Sequence, residues 1–176
     1  MSNTTTLDTG TDHLLATIDD GVGVITMNRP DARNALSTPM LTALAETLAK
    51  FELDRAVKVI VLTGAGKGFC AGGDVKGFHE ENQAADQDDT MTIEERIAAQ
   101  RVIQHATSGK MYRMAKPVIA ALPGAAAGAG MSLALAADFR VFADNAFNTS
   151  AFGMIRCGGD FGGSYFLSKL VPINKA

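Results

Sequence analysis

The run Val57-Lys-Val-Ile-Val-Leu62, closed by Thr63-Gly64, constrains this chain more than any other segment. It is almost wholly apolar and β-branched, the pattern of a strand buried on both faces of a parallel sheet. Helices must then cover that sheet, which makes the chain an α/β domain. The flanking segments alternate accordingly. Leu14 to Ile18 and Val22 to Met27 are short β-type runs joined by Asp19, Asp20 and Gly21, the residues of a tight hairpin turn. From Thr38 the apolar positions take helical spacing (Leu41, Leu44, Ala45, Leu48 and Phe51), with Thr38 expected as the cap and Pro39 at the first helical position. Thr92-Ile-Glu-Glu95 is a capping box that opens a second helix running towards Met114, and Lys116-Pro117 stops it. Val118 to Leu122 reads as a strand, Gly124 to Gly130 as a glycine-alanine turn, Met131 to Ala137 as a short helix and Phe139 to Ala143 as a further strand. The order is β-β-α-β-α-β-α-β.

A chain of 176 residues with 47% hydrophobic side chains fills one core, so a single domain over residues 13–176 is expected after a loose polar tail from Met1 to Asp12. His79 to Thr92 holds five acidic residues and no basic one, the composition of a solvated loop. A net charge of -3 with no basic stripe excludes nucleic acid as a partner. There is no signal peptide pattern and no apolar run long enough to span a bilayer, so a soluble, cytoplasmic protein without a membrane partner is expected. Cys70 and Cys157 have no metal-type pairing and read as buried free thiols.

Glycine-rich turns raise nucleotide binding first. Gly64-Ala-Gly-Lys-Gly68 fails the phosphate-loop pattern, because position 61 is Val and Lys67 is followed by Gly68. The dinucleotide pattern fails at Phe69 and again at Leu133. Ser132 lies in a faint nucleophile-turn pattern, but no histidine follows His105, so it reads as a helix serine. His13, His79 and His105 lack ligand spacing, and no metal is expected. Two segments remain. Gly68-Phe-Cys-Ala-Gly-Gly-Asp74 and Pro123-Gly-Ala-Ala-Ala-Gly-Ala-Gly130 each follow a strand, and their small residues expose backbone N–H groups to a ligand. Each alone also suits tight strand-to-helix packing. If the two converge, their amides form an oxyanion hole.

Taken in order, Asn28-Arg-Pro-Asp-Ala-Arg-Asn-Ala-Leu36, Gly68 to Lys76, Ile119 to Arg140 and Phe147 to Val171 resemble the crotonase (enoyl-CoA hydratase/isomerase) family. The resemblance runs from Leu14 to about Val171. It implies a spiral of β-β-α units, cut short before the family's carboxy-terminal helices, that assembles as a trimer or hexamer. It also implies an acyl-CoA thioester as substrate, with no cofactor beyond the coenzyme A that the substrate carries. By position, Arg33, Asn34, Ala35 and Leu36, with the backbone around Ala71, Gly72 and Asp74, hold coenzyme A. Gly73 and Ala129 offer the oxyanion-hole amides. The two glutamates of the hydratases fall on Ser132 and near Ala151, neither of which carries a carboxylate. Asp160, in Cys157-Gly-Gly-Asp-Phe-Gly-Gly-Ser164, resembles the catalytic aspartate of dienoyl-CoA isomerases and 4-chlorobenzoyl-CoA dehalogenases. An isomerase-like enolate chemistry at Asp160 is therefore expected in place of two-glutamate hydration. Read from its residues alone, Asp160 is also suited to cap a helix over Gly162 to Leu170, which is the lesser of the two readings. A non-catalytic acyl-CoA-binding module and an oligomer-joining homologue are the alternative functions.

Overall fold

Asp20 and Gly21 take left-handed φ values of 43° and 84°, which turns the chain tightly enough to pair Asp19 with Val22. The resulting hairpin opens the fold in the computed structural model, which describes residues 4–75, 77, 91–155 and 158–175. Cys157, His79 and most of the acidic stretch after it lie outside the described residues. The hairpin strands are β2 (Leu14–Asp19) and β3 (Val22–Met27). The tail expected over Met1 to Asp12 is not loose throughout, because Thr5–Leu7 form a strand, β1, antiparallel to β2. A run of consecutive threonines hid it: a three-residue edge strand is held by backbone hydrogen bonds and needs little apolar burial.

The hairpin feeds a parallel sheet. β4 (Val59–Gly64), β5 (Val118–Leu122) and β7 (Phe139–Phe142) follow β3 in the order β1-β2-β3-β4-β5-β7. Val22 lies opposite Val59, Ile60 opposite Val118, and Ile119 opposite Phe139. A second, two-stranded parallel sheet joins β6 (Ala126–Ala127) to β8 (Asn148–Thr149). β4 was expected to be buried on both faces. Instead Ile60 and Leu62 are fully covered while Val59, Val61 and Thr63 are only half-covered. β7 lies at the edge of the sheet, with Phe139 and Val141 exposed.

Helix α1 (Thr38–Leu53) covers the inner face through Met40, Leu44, Leu48 and Phe51. Its cap is Ser37, one residue before the expected Thr38. The Ser37 hydroxyl accepts the Met40 N–H, which leaves Thr38 inside the first turn. The capping box at Thr92 and Glu95 is formed as expected and opens α2 (Ile93–Ala106). That helix does not run unbroken to Met114. Thr107 departs from helical geometry at φ -109° and ψ -96°, its hydroxyl donates to the Ile103 carbonyl, and a separate turn, α3 (Ser108–Arg113), follows. The glycine-alanine turn leads into α4 (Ala129–Ala136), every residue of which is buried. The described chain closes with α5 (Gly163–Leu170). No helix among the described residues is long and apolar enough to cross a membrane.

Candidate active site

Three loop segments lie side by side, joined by backbone hydrogen bonds. Ala71 N–H donates to the Arg33 carbonyl, Leu36 N–H to Gly72 and Asp74 N–H to Leu36. On the other flank Phe69 and Cys70 N–H groups donate to Ala125, and Ala127 N–H returns to Cys70. The segment carrying Gly72 and Gly73 is thus held between the turn at 33–36 and the glycine-alanine turn. The bridge between Leu36 and Gly73 uses polar groups of Gly72, Leu36 and Asp74, so Gly73's own N–H takes no part in it. Ala129 begins α4, and a first-turn N–H has no acceptor within its own helix. Gly72 links the two. At its φ of 98° a Cβ would lie 3.0 Å from the Ala127 carbonyl oxygen and 3.5 Å from the Ala129 nitrogen. The two glycine turns therefore converge.

The approach is also tight at Gly130, where a Cβ would overlap the Cys70 carbonyl oxygen and lie 2.7 Å from the Cys70 Cβ. Gly130→Ala is expected to cost about 1–3 kcal/mol, because α4 has to back away from the neighbouring turn. Urea unfolding reads this as a lower midpoint at unchanged slope.

Asn34 and Arg29 hold the first of the three segments. Asn34 is fully buried at a left-handed φ of 56°. Its Oδ1 accepts the Arg29 N–H at 2.9 Å, and its Nδ2 donates to the Ala65 and Gly68 carbonyls, each at 2.9 Å. Arg29, which sequence reasoning passed over, donates from Nη1 to the Ala35 carbonyl at 2.8 Å and to Asp74 Oδ2 at 2.6 Å. Burial pushes the Asp74 carboxyl up, but the Gly77 N–H, the Arg29 guanidinium and the charge of His13 outweigh it and hold the group below its ordinary 3.8. A depressed carboxylate stabilises the fold fully above the unfolded-chain value and loses that contribution as pH falls through the folded one. Asp74→Asn is therefore expected to flatten the fall in stability below about pH 4, measured by urea unfolding across an acid series.

A cleft of about 540 Å³ opens between α1 and α2. Leu36, Leu41, Gly73, Arg96, Gln100, Ile103, Asp160 and Phe161 line it. Of the residues singled out in the sequence, Leu36, Gly73 and Asp160 meet there. Ala129 lies behind them beside Gly72. Asn34 and Asp74 turn their side chains to the protein, while Arg33 and Ala71 are exposed at the outer margin. Asp160 does not cap α5: the cap position is Gly162, which offers no side chain, and Asp160 supplies only its carbonyl to the Gly163 N–H. Its Oδ1 is buried with no hydrogen-bond partner among the described residues. Burial raises the Asp160 carboxyl above 3.8, offset only in part by its own N–H. Cys70 is a buried free thiol, pushed up to about 12 by burial. A separate cavity of about 610 Å³ lies between α1 and the α2–α3 corner, lined by Glu52, Arg101, His105, Lys110 and Arg113, and it includes no residue of the glycine turns.

Two further residues reach the Asp160 segment: Ser132, whose hydroxyl meets the Asp160 carbonyl, and Gln104, which meets the Phe161 N–H. No sequence signal marked Gln104, because its partner is a backbone group far along the chain.

The family model for enoyl-CoA hydratase/isomerase matches residues 17–176. The chain is 33% identical over 157 residues to the 1,2-epoxyphenylacetyl-CoA isomerase of Escherichia coli, covering 89% of this chain and 57% of that protein. It is 31% identical to the trans-2-decenoyl-[acyl-carrier-protein] isomerase of Streptococcus mutans, covering 93% of this chain and 59% of that one. Among solved structures, an enoyl-CoA hydratase from Polaromonas sp. JS666 superposes with a TM-score of 0.76 at 34% identity, covering 90% of this chain and 59% of its own. The chain thus spans less than two thirds of the length of these relatives. A parallel sheet flanked by converging glycine turns, a family match over nearly all of its length and superposition on a solved hydratase together establish that the chain belongs to the enoyl-CoA hydratase/isomerase family of enzymes.

Proposed function

We propose that this chain binds an acyl-CoA thioester with its carbonyl oxygen between the N–H groups of Gly73 and Ala129, and moves a proton with Asp160. One observation carries this reading: the two glycine turns meet at Gly72 and Ala129 beside a cleft shared by Gly73 and the Oδ1 of Asp160, which is unpartnered among the described residues. In a 3-enoyl thioester, Asp160 takes the α-proton and the C–H electron pair passes into an enolate. The two amides stabilise the enolate oxygen, helped at Ala129 by the positive end of α4. Return of the proton to the γ-carbon gives the 2-enoyl thioester, with atoms and charge conserved. A two-carboxylate hydration lacks its groups, since Ser132 is buried with a hydroxyl bound to backbone and position 151 is alanine.

Arg33, Asn34, Ala35 and Leu36, with the backbone at Ala71, Gly72 and Asp74, belong to the coenzyme A side of this site. Asn34 contributes there by fixing the turn and not by direct contact, because its side-chain atoms are already engaged. No cofactor is needed beyond the substrate's own coenzyme A. Family likeness also supports a cytoplasmic enzyme that assembles as a trimer or hexamer.

The test is to incubate the protein with butyryl-CoA and a 3-enoyl-CoA in heavy water and follow deuterium entry and double-bond position. Exchange at the α-carbon and conversion to the 2-enoyl thioester are expected. Saturable coenzyme A binding without exchange would replace this reading with the non-catalytic binding module.

A further inference from the structure

The peptide between Asp160 and Phe161 is gripped from two helices. Ser132 of α4 is fully buried, and its hydroxyl lies 2.9 Å from the Asp160 carbonyl oxygen, closer than the 3.3 Å to the carbonyl of Gly128, the residue just before its own helix. From the other side Gln104 of α2 accepts the Phe161 N–H through Oε1 at 3.2 Å. Both groups of one peptide are therefore held by side chains.

The backbone here needs holding. Phe161 sits at φ 49°, in the left-handed region that a bulky residue avoids, and Gly162 follows at φ 77°. The Phe161 ring is buried, so the strained turn is pinned at its ring and at its peptide. The site is also fitted around Ser132: a Cβ at Gly163 would overlap its Oγ.

We propose that Ser132 and Gln104 are positioning residues, which aim the Asp160 carboxyl into the cleft and tie it to the helix that begins with Ala129. The position that resembles a water-handling glutamate in hydratases serves in this chain as an anchor for a different carboxylate. The proposal rests on the reading of Asp160 as the proton carrier. Released from either grip, the turn relaxes from its left-handed geometry and the carboxyl swings towards solvent.

Charge removal does not complicate the test. Arg96 of α2 is the charged side chain lining the cleft with Asp160 among the described residues, and Arg101, His105 and Arg113 line the cavity behind Phe161. Ser132→Ala and Gln104→Leu leave all of these in place.

The experiment follows the Asp160 carboxyl by carbon-13 NMR in the full chain, assigned by its absence in Asp160→Asn, through a pH titration of wild type, Ser132→Ala and Gln104→Leu. Deuterium exchange is measured alongside. Both variants are expected to bring the titration midpoint down towards 3.8 and to lower kcat about tenfold with KM within about twofold. A purely structural role would lower the unfolding midpoint and leave the titration of the folded protein unmoved. That result, in Ser132→Ala or, should this variant not fold, in Gln104→Leu on the half-buried face of α2, overturns the proposal. Failure of the proton-carrier reading shows separately, as exchange in Asp160→Asn at the wild-type rate.

Discussion

Asp160→Asn is expected to lower α-proton exchange at least about 100-fold while leaving coenzyme A affinity within about twofold of wild type. The amide keeps the size of the side chain and one acceptor oxygen, so the cleft retains its shape. What it loses is the ability to take a proton near neutral pH. A 100-fold loss corresponds to about 2.7 kcal/mol of barrier, within the usual range for a general base. In the wild type the exchange rate is expected to rise with pH through a value above 3.8, because only the ionised carboxyl accepts a proton and burial disfavours that form. This limb disappears in the amide variant. Heavy-water exchange and calorimetric titration with coenzyme A separate the two effects, and undiminished exchange in Asp160→Asn would move the chemistry to another residue.

Asn34→Ala carries the largest expected effect on stability, about 3–5 kcal/mol. Three backbone groups depend on this one side chain: the Arg29 N–H and the Ala65 and Gly68 carbonyls. Each buried polar group left unpaired costs about 1–3 kcal/mol, and alanine is also poorly suited to φ 56°. The loss should extend to ligand binding, because Gly68 begins the turn that leads to Gly73. A lower urea midpoint together with weaker coenzyme A binding is the expected pair of results. An unchanged midpoint would mean that water enters and satisfies all three groups.

Much of the fold was legible because its signals are local. The Asp20-Gly21 turn, the apolar stripe of α1 and the capping box at Thr92 each act within a few residues, and each formed where expected. Errors arose where two local choices were nearly equal. Ser37 and Thr38 are both good caps, and the Met40 N–H reaches the first of them. Thr107 has no proline beside it to announce a break, yet its hydroxyl competes for the Ile103 carbonyl.

The site divided in the same way. Its glycine turns stand out by composition and order, whereas Asp160 was marked by family resemblance. The Arg29–Asp74 pair and the grips of Ser132 and Gln104 join residues remote in the chain, and their partners are often backbone atoms that any residue type supplies. Such contacts leave no pattern to read until the chain is folded.

The order of the main sheet has a consequence for how this chain is made. Strands β1, β2, β3, β4, β5 and β7 lie across the sheet in the order in which they occur in the chain. Among the described residues no later strand has to wedge between two earlier ones, so during synthesis each of these strands finds its neighbour already in place. Parallel pairings such as Val22 with Val59 and Ile60 with Val118 close long loops, which is slow for a chain that must search for them all at once. Growth from one edge turns that search into a series of single additions paced by the ribosome.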